Sequence, residues 1–223
     1  MRLRLKKHLQ SRLGQAENLL KVDTQELNSH IATQNAEWLN WQEVFGNDNP
    51  VCLEIGCGMG GFAKGFWQTF PNLNLVAVEK LSNVIVSACE KCQDCQNVRF
   101  LNAGAEYLEK YIAPHSVDTI YLNFSTPFQK KTYANRRLTN PRFLNSYQRL
   151  LKAGGKVIQK TDDDDFFAWS KEQFEKCNWQ IVAITTDLHN SPYAQNNIVT
   201  EYEQKFLHVG KNINYVCATA PKE

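Results

Sequence analysis

The chain has 223 residues, 43% of them hydrophobic, including five Trp and twelve Phe, which suits one domain with a sizeable core. Its 25 basic and 23 acidic residues leave a net charge of +2, so a nucleic-acid surface would have to be local. No segment approaches the ~20 apolar residues of a membrane span, the basic start MRLRLKKHLQSRL lacks a signal peptide's apolar run, and seven cysteines in a chain this long indicate reduced thiols and a cytoplasmic protein.

Residues 1–30 carry little apolar periodicity. Arg2, Arg4, Lys6, Lys7 and Arg12 make this segment a basic N-terminal arm ahead of a domain at 31–223; nucleic-acid contact and a solvated, frayed terminus both fit it. Apolar spacing predicts a helix over 33–45, ended by Gly46. The pattern then alternates. Strands are expected at 51–55, 73–79, 98–102 and 118–123, with helices at 61–69, 82–92 and 106–111 between them. A helix over 141–151, ended by Gly154-Gly155, precedes a strand at 156–161 and a helix at 163–176. Segments 179–186 and 212–219 have strand composition and flank a loop and a short helix. The expected class is α/β: a Rossmann-like, doubly wound, seven-stranded sheet, mostly parallel, with an antiparallel C-terminal strand pair.

The sequence LEIGCGMGGF joins the first strand to the first helix of this alternation. Gly56, Gly58 and Gly60 let the backbone turn tightly and approach a ligand, and Glu79 ends the next strand, where an acid commonly accepts ribose hydroxyls. A dinucleotide and S-adenosylmethionine are the competing ligands. Glu54, inside the strand before the glycines, would repel a pyrophosphate but would attract a cationic ammonium group. That carboxylate favours S-adenosylmethionine.

The run NFSTPFQKKTYANRRLT at 123–139 follows a strand and carries Lys130, Lys131, Arg136 and Arg137 with no acid among them. Every charge from 119 to 161 is positive, with Arg142, Arg149, Lys152, Lys156 and Lys160 completing the set. A confined basic surface at a sheet's mouth points to a polyanion brought to a small-molecule site. Asn123 and Asp162 also follow strand ends, where open α/β sheets bind ligands.

The acid and glycine loop resembles that of class I S-adenosylmethionine-dependent methyltransferases. YLNFS with PxxKK and RRLT (121–139), KTD (160–162), DLHNS (187–191), TEYEQKF (200–206) and FGNDNP (45–50) together resemble the bacterial tRNA (guanine-N7)-methyltransferase family over nearly the whole chain. The resemblance implies methyl transfer from S-adenosylmethionine to N7 of a guanosine in the tRNA variable loop. It places Glu54, Gly56, Gly58, Glu79, Gly104 and Asn123 at the cofactor. Lys130, Asp162, Thr200, Glu201, Tyr202 and Glu203 would meet the guanosine and its surroundings, and Lys131, Arg136 and Arg137 the RNA backbone.

The chain departs from the family pattern at four positions. NFSTPFQ stands where the family usually has a DPWP ending, so Thr126, Phe128 and Gln129 replace Asp, Trp and Pro; Gly104 stands where an Asp is usual. Thr126 thus occupies the position of the expected catalytic Asp. Guanine N7 carries a lone pair and no proton, so alignment and not base catalysis is the main requirement. The alternatives are a catalytically weakened or silent tRNA-binding paralogue and a methyltransferase of altered substrate.

Cys89, Cys92 and Cys95 have metal-like spacing but lack an evident fourth ligand, so no metal is expected. Three acids of the 162–165 run suit a helix N-terminus, leaving Asp162 for substrate. His189 reads as structural, and Thr200 with Glu203 as a capping box. Monomer and homodimer both remain open.

Overall fold

The computed structural model describes residues 6–23 and 28–221. The chain divides into two compact units, Met1–Ala113 and Pro114–Glu223. Its strands belong to a seven-stranded sheet, with the run β3-β2-β1 in the first unit and β4-β5-β7-β6 in the second.

The first unit contains, in chain order, α1 (Leu9–Gln15), α2 (Ser29–Gln34), α3 (Trp41–Phe45), β1 (Val51–Ile55), α4 (Gly61–Thr69), β2 (Asn74–Val78), α5 (Ser82–Lys91), β3 (Val98–Leu101) and α6 (Leu108–Tyr111). β1, β2 and β3 pair in parallel. Both β1 and β2 are buried along their whole length, which is why VCLEI and NLVAV read as runs of mostly apolar residues and not as alternations. Phe62, Ala63 and Phe66 of α4 and Ile85, Val86, Ala88 and Cys89 of α5 complete this core.

The helix expected over 33–45 is two helices. The Glu37 and Leu39 amides are taken by the carbonyls of Lys110 and Tyr111. Asn40 then caps α3, its Oδ1 accepting from the Gln42 and Glu43 amides. A local side-chain acceptor and a tertiary pairing outcompete the helical continuation that apolar spacing alone favours.

The described part of the N-terminal segment packs on its own unit. Arg12 donates from its guanidinium to both Glu90 oxygens at 2.7 Å. Asn18 Nδ2 donates to the Cys89 and Cys92 carbonyls at 3.0 Å, and Leu19 forms a parallel bridge with Phe100 of β3. Lys6 bonds Asn83 and Ser87 on α5. Arg2 and Arg4 lie outside the described residues.

The second unit contains β4 (Val117–Asn123), α7 (Pro141–Leu150), β5 (Leu151–Thr161), α8 (Asp164–Lys176), β6 (Gln180–Thr185), α9 (Glu201–His208) and β7 (Asn214–Thr219). β4 and β5 are parallel, while β7 runs antiparallel to both β5 and β6. α7 starts under an Asn140 cap with Pro141 in its first turn, and α8 starts under Asp163. α7 ends at Leu150, and Leu151 is already extended. Gly154 and Gly155 therefore sit within β5 and do not stop a helix, contrary to expectation; the irregular register between β4 and β5 falls in the same stretch.

Candidate active site

In the first unit, the glycine loop sits at the C-terminal end of β1. The amides of Gly56 and Cys57 both donate to the Val78 carbonyl, at 2.8 and 3.0 Å, tying the loop to the end of β2. Gly56 and Gly58 have φ of +85° and +56°, and a Cβ added to either would meet nothing within 4 Å. These two positions thus combine a backbone that L side chains rarely adopt with open space beside it. That is the cradle required for a ligand to approach the main chain, so the residues present fit an S-adenosylmethionine site. Gly60, expected to open the loop to a ligand as well, does not: its Cβ would lie 2.9 Å from Cβ of Ala88, so it serves the packing of the loop on α5.

The expected acids are distributed around this loop. Glu54 is buried within β1, beside Cys57. Burial pushes the Cys57 thiol well up, with the Glu54 and Glu79 charges adding to the effect. Glu79 follows β2, half-buried, and its Oε1 accepts from the Leu81 amide at 2.9 Å. Asn102 donates to the Glu79 carbonyl at 2.7 Å and accepts from Ser82 Oγ at 2.7 Å, joining the loops after β2 and β3. Gly104 follows β3 in an extended conformation. Glu54, Gly56, Gly58, Glu79 and Gly104 therefore occupy the C-terminal ends of three adjacent parallel strands, where an open α/β sheet binds ligands.

The second unit gathers another group. Asn123 ends β4, buried. Phe124 follows with φ of +49°, and its amide donates to the Lys160 carbonyl at 2.9 Å. This turn directs the ring toward α9, where it stacks on Tyr202 and Phe206, with centroids 6.5 and 6.0 Å away. Tyr202 is 57% exposed. Lys205 Nζ stands 5.0 Å from the Tyr202 ring centroid and Lys211 Nζ 5.8 Å from that of Phe206. Asp162 follows β5 and faces Lys211 at 3.5 Å. An exposed aromatic face bordered by cations is suited to a nucleobase and its phosphate.

α9 begins with the expected capping box: Thr200 Oγ1 accepts from the Glu203 amide, and the Glu203 carboxylate accepts from the Thr200 amide. Glu201 is exposed at its first turn. Glu203 itself is fully buried. Its oxygens receive Lys160 Nζ at 2.7 Å and Asn197 Nδ2 at 2.5 Å, and His189 Nε2 stands 2.9 Å away. This carboxylate knots β5, the 187–198 loop and α9 together, and Lys160 is withdrawn from the basic surface on which its sequence position placed it.

The run after β4 is also divided by its contacts. Thr126, Lys130, Lys131 and Arg136 are exposed. Lys130 precedes a 3-10 turn at Lys131–Arg136, and Arg136 lies over the Tyr133 ring. Arg137 is partly buried: it donates to the Pro127 and Phe128 carbonyls at 2.8 and 3.2 Å and stacks over Trp169 at 4.5 Å. Its guanidinium holds the Thr126–Phe128 corner, where Phe128 also has a positive φ. The sequence did not single out Phe124, Phe206, Asn197 or Lys211; their only signal was aromatic or polar type near a strand end or a cap.

The cysteine cluster is buried, and Cys92 Sγ faces the Gly60 carbonyl. Among the described residues no helix is long and apolar enough to cross a membrane.

Residues 48–216 match the family model described as "Putative methyltransferase". A tRNA (guanine-N(7)-)-methyltransferase of Lachnoclostridium phytofermentans is 43% identical over 185 residues, covering 82% of this chain and 86% of that protein. The protein of the same name from Bacillus subtilis strain 168 is 40% identical over 190 residues, covering 83% and 89%. The chain belongs to the tRNA (guanine-N7)-methyltransferase family. Membership in the tRNA (guanine-N7)-methyltransferase family agrees with the fold: a solved antibiotic-related methyltransferase superposes with a TM-score of 0.60 at 15% identity, covering 88% of this chain and 96% of that one. S-adenosylmethionine is the cofactor of this methyltransferase fold. Glu54, Gly56, Gly58 and Glu79, at the C-terminal ends of β1 and β2, are residues of the first unit that could hold it.

Proposed function

We propose that the chain methylates N7 of a guanosine in the tRNA variable loop, using S-adenosylmethionine, in the cytoplasm. The observation that carries this reading is the 43% identity to a tRNA (guanine-N(7)-)-methyltransferase, spread over four-fifths of the chain. The cofactor supplies an electrophilic methyl group. The protein's residues position and shield. Glu79 accepts hydrogen bonds from ribose hydroxyls, and Glu54 provides a negative field for the cationic amino-acid end. The Tyr202 face stacks a base, Asp162 accepts from donors on the base edge, and Lys130, Lys131 and Arg136 meet phosphates.

No side chain has to generate the nucleophile, because guanine N7 already presents its lone pair. Holding the base in register is the principal contribution, worth roughly 7–11 kcal/mol in well-aligned cases. Thr126 offers one hydroxyl where a carboxylate would receive two donors and offset developing positive charge. The threonine at position 126 is the specific observation favouring a weakened enzyme, with turnover expected to be slower than with Asp there.

The deciding experiment incubates the purified protein with unmodified tRNA and methyl-labelled S-adenosylmethionine, then maps the labelled base. Label on guanine N7 of the variable loop supports the reading. Label on a different base, or tRNA binding without label, overturns it.

A further inference from the structure

Glu106 occupies the space that a side chain on Gly104 would fill. An ideal Cβ at Gly104 would lie 2.6 Å from Glu106 Oε2, 2.8 Å from its Cδ and 3.0 Å from Oε1. The carboxylate has thus folded back over the Gly104 α-carbon, closer than any real side chain at 104 would permit. A 3-10 turn at Ala105–Tyr107, closed by the Tyr107 amide on the Gly104 carbonyl at 3.0 Å, makes this return possible. Glu106 remains exposed to solvent. Asn102, two residues before Gly104, ties the loops after β2 and β3 together, and Leu81 leaves an apolar surface 44% exposed beside Glu79.

We infer that Glu106 is the residue that recognises the adenine base of S-adenosylmethionine, by accepting a hydrogen bond from its exocyclic amino group. The inference rests on assigning the cofactor to the strand ends of the first unit. With Glu79 on the ribose, the adenine base would extend toward the next strand end along the sheet. That strand is β3, and Gly104 and Glu106 follow it. A carboxylate is an acceptor only, so it pairs with the amino group of adenine and opposes the carbonyl oxygen that hypoxanthine carries at the same place. The missing Cβ at Gly104 is then part of the device: it makes room for a carboxylate that arrives from two residues downstream. The Gly104 departure from the family pattern relocates the acid without removing it.

Calorimetric titration with S-adenosylhomocysteine and with its inosine analogue tests this without any turnover. The unmodified protein should prefer the adenosine compound by about tenfold or more, the worth of one hydrogen bond to a charged group. Glu106→Ala should lose most of that preference while still binding both compounds. The double variant Gly104→Asp with Glu106→Ala, which returns a carboxylate to the same space from residue 104, should restore it. Glu79→Ala serves as a control on the site, weakening both compounds alike. An unchanged preference in Glu106→Ala, with Glu79→Ala weakened, overturns the role of Glu106 and leaves the cofactor site standing. Unchanged affinity in Glu79→Ala overturns the site assignment and the inference with it.

Discussion

Lys160 and Glu203 form a buried ion pair, Nζ to Oε2 at 2.7 Å, with side-chain exposures of 3% and 0%. Lys160 also donates to Asn197 Oδ1 and the Ile198 carbonyl, both at 2.8 Å, so its three donors are spent. Removing one partner strands the other charge away from water. Lys160→Met should destabilise the protein by about 3–5 kcal/mol, whereas Lys160→Met with Glu203→Leu should recover a substantial part of the loss. Urea unfolding of the two variants measures the difference; a mild effect of the single change would show that the pair does not organise this corner.

Thr126→Asp should raise the rate of guanine methylation. Loss of one preorganised electrostatic group costs about 10²–10³ in kcat in well-studied enzymes, so a gain of order 10² is expected when one is restored. Single-turnover rates on unmodified tRNA are the appropriate measure, because they separate the chemical step from tRNA release. No gain in a variant that still binds tRNA and cofactor would remove the missing carboxylate as the cause of slow turnover.

Salt dependence should sort the basic run into two kinds of residue. Lys130, Lys131 and Arg136 are exposed, and each phosphate contact contributes about 0.7–0.9 to the slope of log affinity against log salt concentration. Changing any one of the three to Ala should lower that slope by about that amount. Arg137→Ala should instead lower thermal stability, through loss of its bonds to the Pro127 and Phe128 carbonyls. Filter binding across a salt series, paired with melting curves, distinguishes the two.

The thiols should be silent in the native protein. Burial raises Cys57 well above its ordinary value, raises Cys89 to about 12 and also raises Cys92. A raised folded pKa means that the stabilising contribution is complete below the unfolded thiol value, near 8.5, and is lost as pH climbs toward 12. Iodoacetamide at pH 8 should therefore leave Cys57, Cys89 and Cys92 unlabelled until denaturant is added, and urea midpoints should fall as pH rises from 8.5. Rapid native labelling of these three would contradict their burial.

The strands β1 to β3 were legible because each is short, apolar and bounded by turn residues, so local composition and burial agree. α8 was legible for a similar reason, since Asp163 announces its start. The break at 35–40 was not, because it depends on amides claimed by Lys110 and Tyr111, some seventy residues away. The same limit governed the site. Glu54, Gly56 and Glu79 follow from strand–loop–strand spacing, but Lys160 and Arg137 looked like surface cations. Only their tertiary partners, Glu203 and the 127–128 carbonyls, convert them into internal supports. Phe124 was in plain view within NFS, yet its role depends on a left-handed backbone turn that a sequence does not display.

The 2.9 Å approach that a Cβ on Gly60 would make to Ala88 also constrains residue 88. Whatever side chain stands there sets how low the glycine loop can settle on α5. Position 88 touches no ligand in the proposed arrangement, so it is a remote dial: enlarging it by one methylene at a time would lift the loop in small steps. A graded series of cofactor affinities would then be obtainable from a residue in the core, with every polar group that handles the ligand left as it is.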